Sequence, residues 1–158
     1  MYSTKNLISF FSGALGLDIG LEKAGLVLRA AVECNQSAIQ TIKANLEQIK
    51  SRKLVIIDRA LTPTNVPEIC EEILQETGMK KNGRYVLAGA PPCQPFSTAG
   101  KRASLKDSRS CGFEIFLAAI RVLQPKFFVI ENVKGMLSAA KKHRPLDQRG
   151  PGFPQLTA

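Results

Sequence analysis

The stretch Gly89-Ala90-Pro91-Pro92-Cys93-Gln94-Pro95-Phe96-Ser97 sets a single thiol among three prolines, which fix the backbone on both sides of it. A thiol on such a rigid loop can act as a nucleophile when nearby positive charge or a bound substrate lowers its pKa. Lys101, Arg102, Lys106 and Arg109 follow in the same loop. By themselves they read as a solvated basic segment; beside a nucleophile they suit contact with phosphates. Farther along, an apolar run delivers Glu131-Asn132-Val133. A partly desolvated carboxyl there can stay protonated near neutrality and donate to a ring nitrogen, while Asn132 can hold the local backbone. The alternative for Glu131 is a cap on a following helix.

A second constellation lies near the start. Phe11-Ser12-Gly13-Ala14-Leu15-Gly16-Leu17-Asp18 follows an apolar run directly, and its glycines let the backbone turn tightly and approach a nucleotide-like ligand at a helix N-terminus. Such a turn is also a common strand-to-helix connection that binds nothing. Glu33 follows at about the twenty-residue spacing at which an acidic group accepts hydrogen bonds from ribose hydroxyls. Asp58 ends another apolar run; it can accept from an adenine amino group, or serve only as a turn residue.

These groups need a scaffold that brings them to one edge. Leu7 to Phe11, Val27 to Val32, Leu54 to Ile57, Tyr85 to Leu87 and Phe127 to Ile130 read as short strands. Between them, Val66, Ile69, Cys70, Ile73 and Leu74, closed by Gly78, recur at helical spacing. So do Phe113, Phe116, Leu117, Ile120 and Leu123 before Pro125, and Ala38, Ile42 and Leu46 after the second run; each set predicts an amphipathic helix. Strand and helix in alternation predict an α/β fold: a mostly parallel sheet of about five strands, helices on both faces, and ligands beyond the carboxyl ends of the strands. Residues 1–142 are expected to form this domain. The Pro/Gly-rich stretch from His143 to Ala158 is expected to be a loosely packed extension.

Composition narrows the setting. With 158 residues and 44% hydrophobic content, the chain can bury one core. Its 22 Lys and Arg against 13 Asp and Glu give +9, which favours a polyanionic partner. Four cysteines without a C-x-x-C pair read as reduced thiols with no metal site, Cys70 being a core residue. No apolar run reaches the ~20 residues of a membrane span, and the start lacks a signal-peptide pattern; the expected address is the cytoplasm.

Taken together, F-S-G-A-L-G at 11–16, P-P-C-Q at 91–94 and E-N-V at 131–133 resemble, in order and spacing, the DNA cytosine-5 methyltransferase family. The resemblance runs from Leu7 to about Gly135 and implies an S-adenosylmethionine-dependent Rossmann-like fold. In it, Phe11, Gly13, Leu15 and Gly16 line the cofactor, Glu33 meets its ribose, Asp58 and Arg59 lie by its adenine, and Pro91 touches it. It further implies that Cys93 attacks C6 of a cytosine flipped out of DNA while Glu131 supports the ring at N3, so that C5 accepts the methyl group. Gln94, Ser97, Lys101, Arg102, Arg109 and Asn132 would face the nucleic acid, with the loop from Ser97 to Arg109 closing over it.

The chain departs from the family pattern at several places. Leu15 stands where many members carry glycine, Arg59 where an aliphatic residue often packs on adenine, and Gly112 where a larger cofactor neighbour is common. A later Arg-containing catalytic motif, further strands and a target-recognition region are missing. The expectation is therefore a catalytic segment of a restriction-modification methyltransferase that needs those parts, either as a fragment of a longer chain or as one half of a split enzyme whose partner supplies them. The alternatives are a non-catalytic S-adenosylmethionine-binding module, an RNA-directed relative and, far behind, a nicotinamide-binding oxidoreductase.

Overall fold

The computed structural model describes residues 5–49, 53–92 and 111–133. Five strands, β1 (Asn6–Phe10), β2 (Val27–Glu33), β3 (Val55–Asp58), β4 (Tyr85–Gly89) and β5 (Phe127–Ile130), alternate with α1 (Gly16–Lys23), α2 (Gln36–Ala44), α3 (Val66–Thr77) and α4 (Cys111–Leu123). Every described pairing is parallel, in the order β3-β2-β1-β4-β5. The predicted strand, helix, strand order is thus the observed one. The chain moves outward from β1 to β3, then returns to the other side of β1 with β4, so the carboxyl ends of β1 and β4 flank the point where the winding reverses.

Alternation along the strands splits the apolar side chains between two faces. Ile8, Phe10, Ala30, Val32, Ile57 and Leu87 face α3 and α4, which contribute Val66, Ile69, Cys70, Ile73, Phe116, Ala119 and Leu123. Leu7, Leu28, Ala31, Val86 and Ala88 face the opposite way, with Leu15 and Ile42. Helices therefore cover both faces of the sheet's centre, as the sequence pattern requires of a parallel sheet, whereas β5 leaves Phe127, Phe128 and Val129 exposed.

Two local expectations need correction. The stripe of α2 is Ile39 and Ile42, joined by Ile49 farther on, while Leu46 is exposed. A short 3-10 turn at Leu46–Gln48 follows α2; it shifts the phase of the side chains, so continuing the α-helical period misplaces Leu46. In α4 the buried side chains are Ile115, Phe116, Ala119 and Leu123, with Phe113, Leu117 and Ile120 half-buried. The strand ends also move slightly: Phe11 lies outside β1, in a left-handed conformation with φ 54°.

Close approaches tie α4 to the sheet end. A Cβ at Gly89 would stand 2.4 Å from the Phe116 ring and 2.9 Å from the Phe10 carbonyl, and one at Gly112 would stand 2.6 Å from Cδ of Pro92. Only glycine permits these contacts. Tyr85, fully covered, donates its hydroxyl to the Leu123 carbonyl at 2.6 Å, locking the last turn of α4 onto the start of β4. Among the described residues no helix is long and apolar enough to cross a membrane, and no group of His, Cys, Asp and Glu could hold a metal.

Candidate active site at the carboxyl ends of β1 and β4

The turn after β1 is built from alternating left-handed residues. Phe11, Gly13 and Leu15 have φ of 54°, 52° and 67°, a conformation that costs a non-glycine residue of order 1 kcal/mol or more. Hydrogen bonds hold it there: Ser12 N–H donates to the Val32 carbonyl at 3.3 Å, Leu15 N–H to the Ser12 carbonyl at 2.9 Å, and Gly13 N–H to Glu33 Oε2 at 2.7 Å. Leu15 sends its side chain into the core, which fixes the entry to α1. At Gly13 and Gly16 a Cβ would meet nothing within 4 Å; the turn presents open backbone there.

That open side borders a cavity of about 360 Å³ lined by Ser9, Phe11, Ser12, Gly13, Ala14, Gly16, Leu17, Asp18, Ala90 and Glu131. It lies where the winding reverses, and its size falls within the roughly 300–1,000 Å³ usual for small-molecule sites. Phe11, Gly13 and Gly16 line this cavity. Leu15 contributes through its backbone geometry instead.

Glu33 borders the turn from the end of β2. One oxygen accepts from Gly13; the other accepts from the N–H groups of Cys34 and Asn35 at 2.9 and 2.8 Å. The carboxylate thus pins the glycine turn to β2, with lone-pair capacity left for a ligand hydroxyl. Asp58 and Arg59 are engaged elsewhere. Gln36 Nε2 donates to both Asp58 oxygens at 2.9 Å, and Arg59 pairs with Glu68 at 2.9 Å and with Glu72.

The other bank of the cavity joins β4 to β5. Glu131 N–H donates to the Gly89 carbonyl at 2.9 Å, and Asn132 Nδ2 donates to the Pro91 carbonyl at 3.0 Å, while Asn132 Oδ1 accepts from Val133 N–H. Pro91 is buried; Pro92 is exposed and packs on Gly112. The residue before Cys93 and the first turn of α4 are accordingly side by side, and Glu131 stands on the same cavity. Cys93, Gln94, Ser97, Lys101, Arg102 and Arg109, and the tail from His143, lie outside the described residues. The contrasting thiol is Cys70, whose burial pushes its pKa up to about 12, so it is inert as a nucleophile.

Asp18, three residues into α1, is the site residue that sequence reasoning missed. It is 1% exposed, lines the cavity, and neither carboxylate oxygen has a hydrogen-bond partner among the described residues. Burial raises its pKa to about 6, with Glu22 adding to the rise; the Ser9 hydroxyl and its own backbone N–H are close enough to pull it downward, but neither reaches hydrogen-bond geometry with the carboxylate. An acid in the first turn of a helix ordinarily marks an exposed dipole-stabilising position, which is why its type alone gave no signal.

Against this geometry, residues 5–148 match the family model for C-5 cytosine-specific DNA methylase. Type II methyltransferase M.AquIA of Picosynechococcus sp. is 37% identical over 139 residues, covering 87% of this chain and 52% of that protein. Type II methyltransferase M.FnuDI of Fusobacterium nucleatum is 37% identical over 132 residues, 84% of this chain and 33% of that one. A solved structure described as a DNA modification methyltransferase encoded within an E. coli prophage superposes with a TM-score of 0.63 at 30% identity, over 84% of this chain and 33% of that chain. The chain thus spans between a third and about half of the proteins it matches.

Proposed function

Because the chain belongs to the C-5 cytosine-specific DNA methylase family, we propose that it carries the cofactor-binding and nucleophile-bearing part of an enzyme that methylates C5 of cytosine in DNA. The observation that carries this reading is the joining of Pro91 to Asn132, which brings the loop that leads into Cys93 and the strand end that bears Glu131 to one cavity.

The residues present fit S-adenosylmethionine: a strained glycine turn with open backbone, an acid at the end of β2 beside it, and an uncovered helix start. When bound, the cofactor supplies an electrophilic methyl group. Phe11, Gly13 and Gly16 would hold it along the turn, with Glu33 toward its ribose and Pro91 beside its reactive end; Asp58 and Arg59 would serve its adenine only by leaving Gln36, Glu68 and Glu72.

On a flipped cytosine the Cys93 thiolate adds to C6 and Glu131 stabilises the ring at N3, which makes C5 nucleophilic. After methyl transfer, loss of the C5 proton and departure of the thiolate restore the aromatic ring. Gln94, Ser97, Lys101, Arg102 and Arg109 would contact the DNA, the basic ones through phosphates. Asn132 acts through the Pro91 backbone, and any contact with DNA would come in addition. The chain would work in the cytoplasm beside the DNA it modifies. A target-recognition region would come from outside these 158 residues, in the same polypeptide or a second chain. The apolar edge of β5, where Phe127 and Phe128 are 57% and 55% exposed, is a surface that such a region could cover.

The test is covalent trapping. The purified chain is incubated with radiolabelled S-adenosylmethionine and DNA containing 5-fluorocytosine, with and without a second chain corresponding to the remaining length of M.AquIA. A labelled adduct that disappears in Cys93→Ala is expected, at least with the second chain present. Folded, cofactor-binding protein that forms no adduct in either case would replace this reading with that of a non-catalytic cofactor-binding module.

A further inference from the structure

The cavity beneath the glycine turn has a charge pattern opposite to that of the whole molecule. The chain carries +9, yet among the described residues the ionisable groups lining the cavity are Asp18 and Glu131, with no lysine or arginine. Asp18 is almost fully covered and both its oxygens lack a hydrogen-bond partner among the described residues. Burying a carboxylate without a partner is costly unless it is neutralised or a cation arrives. Among the described residues, the groups that face it supply no such cation: β1 offers the Ser9 hydroxyl, the next turn of α1 offers Glu22, and Glu131 follows β5. Glu33 is already occupied by three backbone N–H groups.

A methyl donor and its spent product differ chiefly in charge near the reacting atom: S-adenosylmethionine carries a sulfonium, S-adenosylhomocysteine a neutral thioether. Building on the cofactor reading above, we propose that Asp18 is a positioning residue that makes this cavity charge-selective, favouring the cationic donor over the neutral product. Its oxygens are covered by the cavity wall, so the preference acts through space, where a few ångströms of protein screen far less than water does. Once the methyl group has left, the anion loses its complement and the product is held less tightly. In the catalytic cycle, Asp18 therefore promotes exchange of product for fresh donor.

Calorimetric titration of the intact chain with three ligands tests this: S-adenosylmethionine, S-adenosylhomocysteine, and sinefungin, whose amine carries a positive charge in place of the sulfonium. Asp18→Asn is expected to lose on the order of tenfold in affinity for the two cations and less than about twofold for the thioether. Equal losses for all three, or none, overturn the proposal. A measurement on the unaltered chain removes any dependence on the variant's folding: near pH 6, in buffers of different ionisation heat, each cation should expel a fraction of a proton that the thioether does not. That release should persist in Glu131→Gln, and its absence would also overturn the proposal. Failure of the unaltered chain to bind any of the three rejects the cofactor reading itself, which is a distinct outcome.

Discussion

Two carboxylates flank the same glycine turn and are treated in opposite ways. On the outer side, at the end of β2, Glu33 accepts three backbone N–H groups and is half-buried. On the inner side, under the cavity, Asp18 is covered and accepts none within the described residues. Glu33 is a building part: it holds a left-handed glycine and the start of α2 in register with β2. Asp18 adds nothing of that kind, and its burial raises the free energy of the empty protein. A carboxylate that does not stabilise its own fold keeps its whole charge for a ligand, whereas Glu33 has committed most of its acceptor capacity to the backbone.

The sharpest way to break this contrast is to remove the outer acid. Glu33→Ala should lower stability by about 2–4 kcal/mol, since hydrogen bonds to a charged group are worth ~1.5–3 kcal/mol each, and two of the three here are solvent-exposed. Glu33→Gln, which keeps one acceptor, should lose roughly half as much. Chemical denaturation of the three proteins checks the order. A loss below about 0.5 kcal/mol for Glu33→Ala would mean that the turn stands without this clamp.

The inner acid should behave with the opposite sign. Asp18 has a folded pKa of about 6 against an ordinary 3.8, so between those values the folded chain retains a proton that the unfolded chain has lost. Its contribution to stability therefore falls as pH rises from about 4 to 6 and stays low above that. Asp18→Asn should be more stable than the parent by ~1–2 kcal/mol at pH 7.5, with the gain shrinking to nothing below pH ~4. Melting curves across this range decide it. A destabilised variant at pH 7.5 would mean that the ionised carboxylate has a structural partner after all, which would dissolve the contrast with Glu33.

How far the sequence revealed this arrangement follows from the range of the interactions involved. Strands and helices were legible because their signal is local: Val27 to Val32 and Phe127 to Ile130 are apolar runs, and Ile69, Cys70 and Ile73 repeat at helical spacing. The strand-end acids were legible because strand ends in a parallel sheet share an edge. Leu46 was misread because a 3-10 turn changed the phase beyond α2. Asp18 escaped because its burial depends on how α1 packs on β1 and on the absence of a partner, neither of which a residue type encodes. The pairings of Asp58 with Gln36 and of Arg59 with Glu68 and Glu72 were equally invisible, since each joins segments that only the fold brings together.

A smaller effect tests the far bank of the cavity. Asn132→Ala removes the bond to the Pro91 carbonyl and should cost ~1 kcal/mol, but its larger consequence should be positional. With the Pro91 turn released, trapping of 5-fluorocytosine DNA should slow by roughly tenfold or more, as small misplacements of a nucleophile do, while affinity for S-adenosylmethionine changes little. Equal losses in cofactor affinity and in trapping would instead place Asn132 in the cofactor pocket.

The smallest effect belongs to the edge beyond Glu33, and it separates scaffold from site most cleanly. Arg59 bridges to two glutamates of α3, one of them 71% exposed. Exposed pairs of this kind contribute ~0–1 kcal/mol, so Arg59→Leu should leave stability within about that margin. The substitution also restores an aliphatic side chain next to Asp58, the position where the family resemblance puts adenine. If the adenine binds there, Arg59→Leu should hold or tighten S-adenosylmethionine binding, because the apolar face gains area and no ligand bond is lost. A loss of more than about threefold in affinity, with stability unchanged, would show that the guanidinium leaves α3 to meet the cofactor. Charge at that end of the site would then come from a mobile cation, set against the fixed anion of Asp18 at the other.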